Sequence, residues 1–292
     1  MFIKIPTVQQ NLFMQHKDTN QMIARAFSPG NITLFFGIYK HENPLKSGSL
    51  GVSFATTKGA FATVQEADQK QLIINNQEAT FPTVEKAIQL LTDKSLKIEI
   101  KTELPIGHGY SMSASCTLAA LLAANQVCNT NKTKKQLALI AHQSEVMHNT
   151  GLGSITAEYL GGMLARTTRS EPLEARELAV EHKILYYKTL GEINTKEVIT
   201  NPEMKTRINL ACSKALKSIT NASIEQLFRL GKEFAKDTGL LEDPELIQLI
   251  QQVEAQQGSA TMNMIGRSII ATKPFPGSTP IQIAKQGATL LT

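Results

Sequence analysis

Leu104–Ser115 (LPIGHGYSMSAS) constrains this chain more than any other stretch. It follows LKIEIKTE, where Leu96, Ile98 and Ile100 alternate with Lys97, Glu99 and Lys101, the period of a half-buried strand. It runs into an alanine-rich segment from Ala114 to Val127, with Ala114, Leu118, Leu121 and Leu122 on one helical face. Gly107 and Gly109 allow a tight turn and close approach of the backbone to a ligand. The helix start adds unpaired N–H groups and the positive end of its dipole. Such a loop favours phosphate, with Ser111, Ser113 and Ser115 as further hydroxyl donors. A Walker loop is excluded because no Lys-Ser/Thr follows the last glycine, and a dinucleotide fingerprint because Met112 stands at its third glycine. A plain glycine turn, with Ser113 capping the helix, is the structural alternative.

A second feature bears on that choice. KKQLALIAHQSEVMHN reads as a helix with Leu137, Ile140, Ala141, Ser144 and Glu145 on one face. A carboxylate on an apolar stripe is costly unless it is paired or bound to metal. It is therefore either half of a buried ion pair or a magnesium ligand beside the phosphate loop. His148 completes Glu-x-x-His, but no second such motif exists, so it reads as a helix-end histidine.

The bulk properties exclude several classes. The 292 residues are 42% hydrophobic and 19% charged, enough for two domains and a substantial core. The net charge is only +5, tryptophan is absent, and the densest basic run (Lys132, Lys134, Lys135) lacks aromatics, which argues against nucleic-acid binding. Cys116, Cys128 and Cys212 are widely spaced and odd in number, so neither a disulfide framework nor a zinc site is expected. No signal-peptide core or membrane-spanning stretch is visible, and the expected location is the cytoplasm. A homodimer is the assembly entertained for such a chain.

Along the chain, residues 1–22 read as an irregular lead-in or an edge strand. ARAFSPGNITLFFGIYK is strand-like, interrupted at Ser28-Pro29-Gly30. KGAFATVQEA and QLIINNQEATF are β-rich, with a turn at Asn75-Asn76, and TVEKAIQLLTDK is helical. GGMLART and HKILYYKTL read as strands, 205–221, 223–238 and 243–257 as helices, and MNMIGRSIIATK as strand again. A boundary near residue 180 divides the chain into domains of 1–180 and 181–292.

PIGHGYSMSAS, EVMHNTGLGS and GSATMNMIGRSIIA together resemble the three motifs of the GHMP kinase superfamily. SPGNITLFFGI followed by NPLKSGSLGVSF is similar to the N-terminal signature of its archaeal-type pantoate kinase branch. The resemblance covers roughly 24–170 and 258–271. It implies an α+β, two-domain GHMP kinase fold, with a ribosomal protein S5 domain 2-like N-terminal, ATP-binding domain and a ferredoxin-like C-terminal domain. It also implies ATP- and Mg2+-dependent phosphorylation of the primary hydroxyl of pantoate to 4-phosphopantoate, in coenzyme A biosynthesis.

By position, Pro105, Gly107, Gly109, Ser111, Met112, Ser113, Ala114 and Ser115 would form the ATP loop, with Ser113 and Glu145 holding the metal. Asn31, Thr33, Lys46, Gly48 and Ser49 would lie at the substrate end, and Arg166 would hold the substrate carboxylate or the transferring phosphoryl. Three positions depart from the pattern. Asn31 replaces a histidine, Ser111 the loop's third glycine, and Ser154 an aspartate that acts as base or orients the hydroxyl. Phosphoryl transfer depends chiefly on positioning and charge stabilisation, so a kinase survives such losses. They leave open another small hydroxylated substrate (homoserine, mevalonate or a sugar) or a catalytically impaired nucleotide- or metabolite-binding homologue.

Overall fold

In the computed structural model, which describes residues 22–169, 172–181, 184–192, 198 and 200–291, two long strands dominate. β1 (Ile23–Tyr39) and β2 (Gly48–Glu66) pair antiparallel from Ile23↔Gln65 to Tyr39↔Gly48. The lead-in read at residues 1–22 lies outside the described residues except for Met22. The expected break at Ser28-Pro29-Gly30 does not occur. β1 runs through it, with a register shift between Pro29 and Asn31, because a bulge lets a strand pass proline without a ladder donor. A three-residue helical turn, Pro44–Lys46, joins the two strands, capped by the Asn43 side chain.

The hairpin is the spine of an eight-stranded sheet. On one side of β2 follow β5 (Leu96–Thr102), β3 (Gln71–Ile74) and β4 (Gln77–Glu78), with β3 parallel to β5. Asn75 and Asn76, both at positive φ, make the β3–β4 turn. β6 (Met163–Arg166) pairs with the far half of β2, placing Arg166 opposite Gly51, and β7 (Arg176–Glu177) pairs with β6.

Helices α1 (Pro82–Leu91), α2 (Met112–Cys128), α3 (Lys134–His148) and α4 (Ile155–Leu160) belong to this half. α2 differs from the one-faced helix its sequence suggests. It packs against β1, β2, α1 and α3, so residues on all its sides are buried. Its small alanines are what admit that many neighbours at close range.

The chain then forms a four-stranded antiparallel sheet. Its strands are β8 (Leu185–Gly191), β9 (Ala260–Met262), β10 (Arg267–Ala271) and β11 (Thr279–Ile281), in the order β11-β8-β10-β9. The first two residues of the expected strand HKILYYKTL, apart from Glu181 before them, lie outside the described residues. α6 (Ile224–Thr238) and α7 (Pro244–Ala255) pack on this sheet, whereas α5 (Pro202–Leu216) packs on β1 and α6. The chain crosses between the sheets near residue 180 and returns for its last strand, β12 (Thr289–Leu291), which pairs with β1. One continuous hydrophobic core spans both sheets. Among the described residues no helix is long and apolar enough to cross a membrane.

Candidate active site

The strand–loop–helix unit forms as its residues dictate. Gly107 and Gly109 adopt φ of 86° and 87°, and Ser111 follows at 54°, so three alternate residues are left-handed. Ser111 thus occupies a conformation that glycine takes freely and that costs a serine about 1 kcal/mol. It is the N-cap residue of α2 but makes no side-chain cap bond, and Ser113 does not cap the helix either. The Ser113 hydroxyl instead donates to Glu145 Oε2 at 3.0 Å. Ser115 is structural: buried, it donates to the Pro29 carbonyl at 2.7 Å and ties α2 to β1.

The loop forms one wall of a cavity of about 600 Å³. Gly107, Gly109, Ser111, Met112 and Ser113 line it, and so do Asn31, Thr33, Ser49, Ser154 and Arg166. Not every expected residue reaches it. Pro105, Ala114 and Ser115 lie behind the wall, and Lys46 is exposed on the turn between β1 and β2, away from the lining. Gly48 backs the site: a Cβ there would stand 3.0 Å from Arg166 Nη2.

Glu145 is 1% exposed and sits just behind the wall. A Cβ on Gly151 would meet its Oε2 at 2.7 Å and Ser154 Oγ at 3.0 Å, so the 149–154 loop needs glycine to lie over the carboxylate. The ion-pair alternative fails among the described residues: Glu145 accepts from Ser113, no cation pairs with it, and Oε1 has no hydrogen-bond partner. Burial pushes its carboxyl up to about 7, against the opposing effect of the Ser113 hydroxyl. Hard oxygen donors with an orphaned carboxylate oxygen fit a magnesium ion.

Arg166, 5% exposed, is a second isolated charge. Its Nη1 donates to the Gly153 carbonyl at 3.2 Å and to Ser49 Oγ at 3.4 Å, while Nε and Nη2 have no partner among the described residues. Burial lowers its pKa to about 10. A buried guanidinium with two free donors and no carboxylate on it among the described residues can receive an anion.

Several residues at or beneath the site escaped the sequence reading. Glu158, on the short helix α4, is fully buried with neither carboxylate oxygen hydrogen-bonded. Burial first, and the charge of Glu145 second, push its pKa well above the usual carboxylate value. Six helical residues are too few to show a periodicity that would have flagged it. His142 is buried on α3, its Nε2 2.9 Å from the Ser47 carbonyl; burial and the nearby Arg166 lower its pKa to about 4.

Asn263 and Gly266, within the third quoted motif, dock that segment on the phosphate loop. Asn263 Oδ1 accepts from the Thr33 backbone at 3.1 Å, and Gly266 abuts the His108 carbonyl and Gly109 so closely that a Cβ would overlap them. Asn31 spans from β1 to the loop, its Nδ2 3.5 Å from Ser111 Oγ. His148, the last residue of α3, also lines the cavity, its Nδ1 2.9 Å from the Ser144 carbonyl.

Comparison with known proteins bears on this geometry. The family description GHMP kinases N terminal domain matches residues 82–162, which hold both the phosphate loop and the glycine loop. A pantoate kinase of Methanocaldococcus jannaschii is 31% identical over 251 residues, 83% of this chain and 90% of its own length. One of Methanospirillum hungatei is 28% identical over 254 residues, 84% of this chain and 86% of its own. Among solved structures, a phosphotransferase related to the CoA biosynthesis pathway superposes with a TM-score of 0.80 at 22% identity, covering 92% of this chain and 98% of that one. The homoserine kinase of Cytophaga hutchinsonii superposes at 0.66 with 16% identity, covering 96% and 100%. These two likenesses establish a shared fold.

Proposed function

The chain belongs to the pantoate kinase family of the GHMP kinases, and on that premise we propose that it transfers the γ-phosphoryl group of ATP to the primary hydroxyl of pantoate. The products are 4-phosphopantoate and ADP. The observation that carries the substrate half is Arg166: a buried guanidinium with two unpartnered donors on a cavity wall shared with the phosphate loop. A small hydroxy acid satisfies that cation with its carboxylate and leaves its hydroxyl free to face the nucleotide.

The left-handed run at 107, 109 and 111 lies on the cavity wall, and with the dipole at the start of α2 its backbone N–H groups would hold the triphosphate. Ser113 and Glu145 would hold magnesium, which, when bound, neutralises charge on the transferring phosphoryl group. Gly153 presses on Arg166 and Ser49, so the glycine loop fixes the substrate's carboxylate end while its other half lies over Glu145. Asn31 and Asn263 brace β1, the phosphate loop and the third motif into one frame. Three free cysteines, two of them buried, suit a reducing cytoplasm, where ATP is supplied.

An ADP-release assay over pantoate, homoserine, mevalonate and sugars tests the assignment. Turnover is expected on pantoate. A higher kcat/KM on any of the others, or none on pantoate, refutes it.

A further inference from the structure

By position Ser154 replaces the aspartate that, in the superfamily the chain resembles, acts as base or orients the hydroxyl, and a serine hydroxyl holds its own proton too tightly to serve as base. The described residues lining the cavity include three titrating side chains: His148, Arg166 and Glu192. Arg166 has no lone pair to offer. Glu192 lies at the other end, over the phosphate loop, where a Cβ on Gly107 would meet its Oε1 at 3.0 Å, and it pairs with His108. Glu145 and Glu158 are not on the wall, and Glu145 would be engaged by the magnesium.

His148 is placed differently. Its Nδ1 lies 2.9 Å from the Ser144 carbonyl, and a carbonyl can only accept, so Nδ1 carries the hydrogen. In the neutral ring this leaves the lone pair on Nε2, which has no hydrogen-bond partner among the described residues. His148 and Glu145 stand one turn apart on α3, with Cβ atoms at a separation of about 5–6 Å expected for such a pair. The 149–154 loop starts at His148, passes Glu145 at Gly151 and delivers Ser154 to the same wall. The chain end of α3 stabilises a positive charge on its last residue, and the Ser144 carbonyl holds the ring in orientation.

Taking the pantoate reading as its basis, we propose that His148 Nε2 is the general base that accepts the proton of the substrate hydroxyl. As the hydroxyl oxygen bonds to the γ-phosphorus, its O–H bond breaks and the proton passes to Nε2. The bond from the γ-phosphorus to the β,γ-bridging oxygen breaks, ADP leaves with that electron pair, and the imidazolium returns its proton to solvent.

His148→Asn separates this role from a merely structural one. The asparagine amide can still donate to the Ser144 carbonyl, but Nε2 is gone. The expected result is a kcat lowered by about 10²–10⁴-fold, the usual value of base assistance, with the KM for ATP and the thermal midpoint unchanged. Added imidazole should restore part of the turnover of His148→Ala, and Ser154→Asp placed in the His148→Asn background should restore more by supplying a carboxylate on the same wall. A His148→Asn enzyme with wild-type kcat overturns the assignment while leaving the pantoate reading intact. So does a loss of kcat that comes with a lower thermal midpoint and no rescue by imidazole or by Ser154→Asp. A wild-type protein silent on pantoate overturns the pantoate reading, and this inference with it.

Discussion

Replacing Glu145 by glutamine sets stability against activity, and the structure fixes the size of the effect. Glu145 is buried without a cation, and its carboxyl is raised from 4.5 to about 7. Between those values the folded protein keeps a proton that the unfolded chain has released. Without divalent metal, the contribution of Glu145 to stability is therefore least unfavourable below pH ~4.5, worsens as pH climbs to about 7, and levels off above it. The gap corresponds to about 3 kcal/mol at pH 8. Glutamine keeps an oxygen to accept from Ser113 but brings an amide that must find an acceptor, which offsets about 1 kcal/mol. The variant should then be about 2 kcal/mol more stable than wild type at pH 8 in EDTA, a rise in Tm of about 3 °C for a chain of this size, and no more stable at pH 4.5. Magnesium-dependent turnover should fall by orders of magnitude. Thermal unfolding at the two pH values, alongside ADP release, checks both halves. A variant no more stable than wild type at pH 8 would refute the claim that Glu145 is an uncompensated charge; unchanged turnover would remove it from the metal site.

Arg166→Ala should raise the KM for pantoate or lower kcat while leaving ATP affinity unchanged, because its free donors serve the substrate's carboxylate; a loss of nucleotide binding in a titration would move Arg166 to the ATP side. Gly153→Ala should reproduce that phenotype with Arg166 itself unsubstituted, since its Cβ would overlap Arg166 Nη1 and Ser49 Oγ and displace them; a wild-type KM for pantoate would contradict the tight fit. Ser154→Asp in the wild-type background should raise kcat, and a fall in kcat would show that the loop has no room for the longer side chain. Gly107→Ala should raise the KM for ATP, because φ of 86° disfavours a side chain and the new Cβ meets Glu192 at 3.0 Å; an unaltered KM would take that residue out of the nucleotide loop.

Much of the site could be read along the chain because its logic is local. The alternation of Leu96–Lys101, the glycines at 107 and 109 and the alanine-rich stretch after them determined a strand, a glycine loop and a helix, and the stripe around Glu145 put a carboxylate inside. Each of these rests on contacts within a turn or a strand repeat, which sequence spacing encodes directly. What only the tertiary structure decided involves partners far apart in the chain: Arg166 meets Ser49 across 117 residues, and Thr33 meets Asn263 across 230. The same packing left Lys46 outside the cavity, buried Glu158 beneath it, carried β1 through Pro29 without a break, and surrounded α2 so that its expected single apolar face became burial on all sides. Sequence spacing cannot report these outcomes, because a side chain's solvation and partners depend on which distant elements close over it.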